Sequence, residues 1–337
     1  MESIWFPCWK ANSPARNSTD CMVRHLPICV LCDDGYAMHC GVMIASLLCH
    51  CAEETEIDIY ILDDGISFAN RERLLSLALI RPFRMTFIPV DALPEVEGPK
   101  KKDWPQSLYK RLRLPSILRD LDKVLMLDGD MVILEDPSFL MEVPMEGCWV
   151  AGVLDARAAA NRDRLCLGAD ASYVNFGMLV VDLKSLREYG VERLFLKTLK
   201  ERAGDLKFMD QDALNITLEG HIITLPQRWN SQYLDDRYTP RSADDFKKPA
   251  IIHYVTNEKP WLTLSAAPRK SYYIHYLKMT PWFGEWKERM GRELRTCHPW
   301  IRRFRKLMRQ SFEIHLKKSK RYIRICGVTI LRDALHI

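Results

Sequence analysis

Two aspartates separated by one glycine, Asp128-Gly129-Asp130, interrupt an apolar run, VLMLDGDMVILED (124–136). That spacing fits two chemistries. Asp-Gly is a strong hairpin turn, because Gly tolerates positive φ and Asp bonds its own backbone. VLML and MVIL would then pair, with solvated acids between them. The other reading is a divalent cation held by both carboxylates at the end of a buried strand. Mg2+ and Mn2+ take oxygen ligands, often one or two carboxylates plus substrate phosphates. Manganese also accepts imidazole, and His253 closes the run AIIH where a strand would deliver it to the same edge. A histidine beside an apolar run is equally at home as a satisfied core residue.

The elements that would position these groups can be read from the pattern. LPICVLC (26–32), EIDIYIL (56–62) and RMTFIPV (84–90) read as strands. A helix after the first strand places Val42, Ala45, Leu48 and Cys49 on one face, and Ser67 is the expected N-cap of a helix running to Ile80. Lys110–Leu118 reads as helical apart from Pro115. Strands follow at CWVAGVL (148–154), VNFGMLVVDL (174–183), HIITLP and AIIHYV, with an amphipathic helix over Lys184–Glu201 and another opened by Asp210-Gln211-Asp212 and ended by Gly220. Alternating strands and helices predict an α/β fold with a mixed, mostly parallel sheet covered on both faces. Such sheets bind ligands beyond the carboxyl ends of their strands. Three strands end in acid-rich turns there: Asp33-Asp34-Gly35, Asp63-Asp64-Gly65 and Asp128-Gly129-Asp130. The domain is expected over 26–280, after an irregular extension (1–25) and before a basic helical tail (281–337).

Composition narrows the class. Of 337 residues, 47% are hydrophobic and 28% charged, as in ordinary soluble domains. No apolar run reaches 18 residues, and the N-terminus lacks the basic-then-apolar layout of a signal peptide, so a cytoplasmic protein is expected. Eleven cysteines cannot all pair within one chain. Cys29 and Cys32 are followed by Cys49 and Cys51, but one intervening residue in the second pair is poor zinc spacing, and free buried thiols are favoured. The net charge of +5 hides an asymmetry. Residues 301–325 hold ten basic side chains and one acid, a segment of +9, which leaves −4 for the rest. Such a tail points to an anionic surface.

The chain resembles glycosyltransferase family 8, the retaining nucleotide-sugar enzymes, and within it the transferases that extend the bacterial lipopolysaccharide core. The resemblance covers roughly 26–265 and rests on seven segments in order: LCDDGYA (31–37), ILDDGIS (61–67), YKRLRLP (109–115), LDGDMVI (127–133), VNFGMLVVDL (174–183), DQDALN (210–215) and HYVTNEKPW (253–261). It implies a GT-A-like nucleotide-binding domain, a UDP-sugar donor, and Mn2+, with Mg2+ as the alternative, held by Asp128, Asp130 and His253. It implies that Asp33 and Tyr36 hold the ribose and base, that Lys259 meets the diphosphate, that Arg111 reaches the donor sugar or its phosphates, and that Asn175, Asp210 and Gln211 surround the sugar. Arg111 could otherwise be a solvated charge, and Asp210 also suits a helix N-cap. Phe176 stands where the family usually has a small residue. Retention through a covalent intermediate needs a nucleophile on the far face of the sugar. Gln211 is a poor one and the aim of Asp212 is open, so front-face substitution is the expected mechanism.

In the tail, Ile301, Phe304, Met308, Phe312 and Leu316 recur at helical spacing among Arg and Lys. This reads as an amphipathic helix over 296–325 for an anionic membrane surface, or as a helix packed on the body with a solvated basic face. The expected activity is transfer of hexose from UDP-glucose or UDP-galactose to a glycan acceptor, the lipid-linked lipopolysaccharide core, on the inner face of the cytoplasmic membrane. A protein- or capsule-directed transferase of the same fold is the alternative. A non-catalytic basic-tailed binding protein is the competitor from another class; no nucleic-acid module accompanies the charge.

Overall fold

Strands that alternate core contacts on both faces build the centre of the molecule. In the computed structural model, which describes residues 24–92, 106–232 and 248–296 and the backbone of 322–325 and 328–331, Leu26, Ile28, Val30 and Cys32 of β1 (Arg24–Asp33) join one hydrophobic cluster while Cys29 joins the other. β4 (Lys123–Leu127) does the same, with Leu125 and Leu127 on one side and Val124 and Met126 on the other. This period of two is what a strand buried on both faces requires.

The main sheet has seven strands in the order β3-β2-β1-β4-β7-β6-β8. β2 (Thr55–Asp64) and β4 flank β1 in parallel, and β3 (Arg84–Pro89) extends the parallel part beyond β2. β7 (Val174–Asp182) runs antiparallel to both β4 and β6 (Val150–Leu154), and β8 (Ile222–Thr224) lies parallel to β6. A second sheet joins β5 (Met131–Ile133), β10 (Ile251–His253) and β9 (Ser231–Gln232). The hairpin reading of Asp-Gly-Asp therefore fails: β4 and β5 belong to different sheets, and Asp128–Asp130 is the crossing between them.

The helices follow the sequence in most places. α1 (Ala37–His50) covers one face. α2 (Phe68–Leu75) is capped by Ser67, which accepts from Asn70 N–H, and a 3-10 turn continues the chain to Leu79. Residues Gln106–Arg113 form 3-10 turns, and α3 (Leu114–Ile117) starts with Pro115 in its first turn, where a missing N–H costs nothing. α4 (Ala158–Leu165) lies between β6 and β7. The single helix expected over 184–201 is two, α5 (Leu183–Glu188) and α6 (Val191–Glu201), because Gly190 adopts φ 60° between them. α7 (Met209–Thr217) carries the Asp210-Gln211-Asp212 run in its first turn.

After α8 (Lys270–Leu277), helix α9 (Phe283–Thr296) packs on the body: Met290 and the preceding Trp282 are buried, and Trp286 donates its indole N–H to the Trp261 carbonyl at 3.2 Å. Farther on, β11 (Tyr322–Ile325) and β12 (Val328–Leu331) pair as an antiparallel hairpin, so the expected helical tail is not helical there. The apolar positions from Ile301 to Leu316, and residues 1–23, lie outside the described residues. Among the described residues no helix is long and apolar enough to cross a membrane.

Candidate functional site

The crossing from β4 to β5 is clamped by backbone on both sides. Asp128 N–H donates to the Gly177 carbonyl at 2.8 Å, and Tyr254 N–H donates to the Asp130 carbonyl at 3.1 Å. β7 and β10 thereby fix where both carboxylates point. His253 ends β10, and one ligand atom from each of Asp128, Asp130 and His253 lies within 4.8 Å of the others. His253 Nε2 is 3.3 Å from Asp130 Oδ1 and 3.7 Å from Asp128 Oδ2. Two carboxylates and one imidazole converging on a point form the donor set of a hard divalent cation that tolerates nitrogen. Space has been kept for it: a Cβ on Gly177 would sit 2.8 Å from Asp128 Oδ2 and 2.9 Å from His253 Nδ1. Gly129 is less constrained, since a Cβ there would meet Cys40 at an ordinary 3.6 Å.

Basic groups bracket the carboxylates. Lys259 Nζ lies 2.6 Å from Asp130 Oδ2 and holds the Asp130 carboxyl below the usual range against the opposing effect of burial. Arg111 is buried and bridges two acids: Nη1 donates to Asp128 Oδ1 at 2.6 Å, and Nε to Asp210 Oδ2 at 2.9 Å. It is not the solvated charge that its place in KRLR allowed. Its guanidinium also lies 4.5 Å from the centroid of the Phe176 ring, which gives that unusual phenylalanine a role as a cation–π platform. Burial raises Asp210 to about 6, and Arg111 opposes the rise.

The amide of Gln211 is held at every atom. Its Oε1 accepts from Asn175 Nδ2 at 3.2 Å and from Phe176 N–H at 3.0 Å; its Nε2 donates to Tyr173 Oη at 3.0 Å and to Asp155 Oδ2 at 3.3 Å. Asp212 is wholly buried and accepts from Tyr173 Oη, Arg164 Nη2 and the N–H groups of Lys207 and Phe208, at 2.5 to 2.8 Å. Its aim, left open by the sequence, is into the protein.

At the end of β1, Asp33 Oδ1 accepts Tyr36 N–H at 2.7 Å, which shapes the turn into α1. Tyr36 is 38% exposed. Burial of its hydroxyl and the carboxylates of Asp130, Asp128 and Asp33 raise its phenol above the ordinary range. Behind it His39 stacks on Trp261 at 3.5 Å between ring centroids. The neighbouring acids serve structure: Asp34 Oδ1 accepts from Ser67 N–H and Asn70 Nδ2, and buried Asp63 pairs with Arg71. Eight of the ten residues singled out in the sequence, Asp128, Asp130, His253, Lys259, Arg111, Asp210, Asn175 and Gln211, are joined through Asn230 in one network of hydrogen bonds and ion pairs, and Asp33 and Tyr36 lie at the end of β1 within electrostatic reach of it. Asn230, Asp155, Tyr173 and Gly177 belong to the same network and were not foreseen. The cysteines Cys29, Cys32, Cys40 and Cys51 are buried and free.

A parallel half-sheet with acids at its carboxyl ends, joined to an Asp-Asp-His cluster, defines a GT-A-like fold. The family model described as Glycosyl transferase family 8 matches residues 27–265, and the chain belongs to that family. It is similar to general stress protein A of Bacillus subtilis (strain 168), 29% identical over 77% of this chain and 95% of that one. It is also similar to lipopolysaccharide 1,2-glucosyltransferase of Escherichia coli (strain K12), 26% identical over 82% of this chain and 84% of the relative. Among solved structures, the galactosyltransferase LgtC in complex with donor and acceptor sugar analogues superposes with a TM-score of 0.65 over 77% of this chain and 99% of that one, at 23% identity.

Proposed function

We propose that this chain is a retaining, divalent-metal-dependent hexosyltransferase that moves glucose or galactose from UDP to a lipid-linked glycan, the lipopolysaccharide core. The observation that carries the reading is the convergence of Asp128, Asp130 and His253 from the strands of two sheets, flanked by Lys259 and Arg111. The lipopolysaccharide acceptor rests on the likeness to the Escherichia coli lipopolysaccharide 1,2-glucosyltransferase.

Asp33 and Tyr36 receive the ribose and uracil. Asp128, Asp130 and His253 would hold Mn2+, which would supply Lewis-acid stabilisation of charge on the departing diphosphate. Lys259 adds a cation beside it, and Arg111 links that side of the crevice to Asp210, which bonds the sugar hydroxyls. Asn175 and the fixed amide of Gln211 border the sugar ring. Asp212 is committed to four internal donors and Gln211 is saturated, which leaves no free nucleophile among them and favours front-face substitution. The bond from the anomeric carbon to the phosphate oxygen breaks, the bond to the acceptor oxygen forms on the same face, and the acceptor's proton passes to the departing phosphate oxygen. The basic segment 301–325 would hold the enzyme at the anionic leaflet where such an acceptor resides.

The test is hydrolysis and transfer across a panel of UDP-sugars with and without Mn2+, with Asp130→Asn as control. Turnover of UDP-glucose or UDP-galactose that needs Mn2+ and disappears in Asp130→Asn is expected. Equal turnover in that variant would remove the metal assignment.

A further inference from the structure

Asn230 matches no motif, yet it occupies the centre of the site's buried network. It ends the 3-10 turn Gln227–Asn230 just before β9 and has no exposed surface. Its Nδ2 donates to Asn175 Oδ1 at 3.0 Å, and its Oδ1 faces His253 Nδ1 at 3.0 Å.

Backbone donors fix the direction of this chain. Gly177 N–H points at Asn175 Oδ1 at 3.0 Å, so that atom is an acceptor. The Asn230 atom facing it must then be the amide nitrogen, and the other end of Asn230 must be its carbonyl oxygen. Hence the hydrogen between Asn230 and His253 sits on His253 Nδ1. A neutral imidazole protonated at Nδ1 keeps its lone pair on Nε2, the atom that faces Asp128 and Asp130. The chain continues the other way in the same sense. Asn175 Nδ2 donates to Gln211 Oε1, Gln211 Nε2 to Tyr173 Oη, and Tyr173 O–H to Asp212. Phe176 N–H confirms Gln211 Oε1 as an acceptor. Every bond from His253 to the Asp212 carboxylate points the same way.

We propose that Asn230 is a positioning residue that commits His253 to binding metal through Nε2 and, through Asn175, ties this ligand to the Gln211 amide as one hydrogen-bonded unit. The inference rests on the metal reading above. Partners that hold the second nitrogen of a ligating histidine fix its tautomer and ring orientation, and their loss costs roughly 10- to 100-fold in metal affinity or activity. Here the same partner also reaches the residues at the sugar, so metal binding and sugar positioning share a support.

Two variants separate these roles. Asn230→Ala removes both bonds. Asn230→Asp keeps an acceptor for His253 but sets a carboxylate oxygen against Asn175 Oδ1. Calorimetric Mn2+ binding in the presence of UDP is expected to weaken roughly 10- to 100-fold in Asn230→Ala. In Asn230→Asp it should stay within about threefold while kcat for UDP-sugar hydrolysis falls about tenfold or more, the lower bound for loss of such a partner. Near-ultraviolet circular dichroism reports whether each variant is folded. The unaltered chain supplies a readout that needs neither substitution nor metal: 15N resonances of His253 at alkaline pH, expected to show hydrogen on Nδ1 and none on Nε2. Hydrogen on Nε2 there, or parental Mn2+ affinity in folded Asn230→Ala, overturns the inference. Absence of Mn2+ binding by the parent overturns the metal reading itself, and the nitrogen resonances still judge the hydrogen-bond chain.

Discussion

Gly177 makes room for His253. No side chain fits at that position of β7, because a Cβ would lie 2.9 Å from His253 Nδ1 and 2.8 Å from Asp128 Oδ2. The imidazole cannot retreat without breaking its bond to Asn230, nor Asp128 without breaking its contact with Arg111. Gly177→Ala should therefore displace a ligand by a few tenths of an ångström or more and lower Mn2+-dependent turnover by about 100-fold, the order that small misplacements at a reacting centre cost. Gly129→Ala, with its contact at 3.6 Å, should lose much less. Steady-state hydrolysis of a UDP-sugar over a Mn2+ titration ranks the two; the reverse order would refute the argument.

Arg111 is where charge, packing and position meet. Arg111→Lys keeps one charge but cannot reach Asp128 and Asp210 together in the plane of a guanidinium. A fall in kcat of about 10- to 100-fold is expected, since only part of the electrostatic alignment survives. Arg111→Met leaves Asp210 buried without its cation, a change that typically costs about 3–5 kcal/mol. Adding Asp210→Asn to Arg111→Met should recover much of the lost Tm and little of the activity. Thermal unfolding of the three variants measures this, and no recovery in the double variant would mean that the pair is not energetically coupled.

The raised Asp210 carboxyl sets a pH dependence with a definite sign. Its folded value of about 6 lies above the ordinary 3.8 because burial disfavours the anion more than Arg111 favours it. The folded state therefore holds this proton more tightly than the unfolded chain does. The associated stability is fully present below about pH 4 and is lost as pH rises through about 6. Asp210→Asn should lack that slope when Tm is followed from pH 4 to 7. If Asp210 must be ionised to hold the sugar, kcat/KM in the parent should rise through about pH 6. Mn2+ beside Asp128 should move that limb to lower pH, because an added cation favours the carboxylate.

Tyr173 links the saturated amide of Gln211 to Asp212. Tyr173→Phe removes a single oxygen and leaves Asp212 with Arg164 and two backbone donors. The fold should survive, with a cost on the order of 1–3 kcal/mol for the unpaired groups. Gln211 keeps its Nε2 bond to Asp155 and both donors to Oε1, but with one of its two Nε2 partners gone its orientation should loosen, which predicts a fall in kcat of at most about tenfold with KM for the donor nearly unchanged. A change confined to KM would place Gln211 in ground-state binding instead.

Local pattern decides which of these relationships could be read from the chain. The apolar run ending in Asp128-Gly129-Asp130 was legible because a strand buried on both faces must be apolar until it emerges, and the acids mark where it emerges. Ser67 was legible because capping is a three-residue event. By contrast, Asn230 bonds residues 55 and 23 positions away, and no period or motif records such a contact. The break at Gly190 turned on one backbone conformation inside a well-patterned helical stretch. Among the basic residues of KRLR, the 3-10 turns of Gln106–Arg113 choose Arg111 to bridge Asp128 and Asp210. The glycine that mattered was Gly177, whose neighbours come from β10 and the β4–β5 crossing and not from its own strand.

Charge is distributed unevenly along the chain. The body carries −4 outside the +9 segment 301–325, so nothing in its average charge draws it to an anionic surface. Helix α9 is held by the Trp286 indole bond to Trp261 and the pairing of Arg73 with Glu285, and it belongs to the body through Thr296. A chain truncated after Thr296 should therefore keep UDP-sugar hydrolysis, since every residue assigned to the candidate site lies before it. The full chain should bind vesicles containing anionic lipid and ignore neutral ones, with each basic residue near the surface contributing about 1 kcal/mol and the whole effect fading as salt shortens the Debye length. Vesicle sedimentation at low and high salt reads this directly. Equal sedimentation of the truncated chain would move the membrane contact from the basic segment to the body.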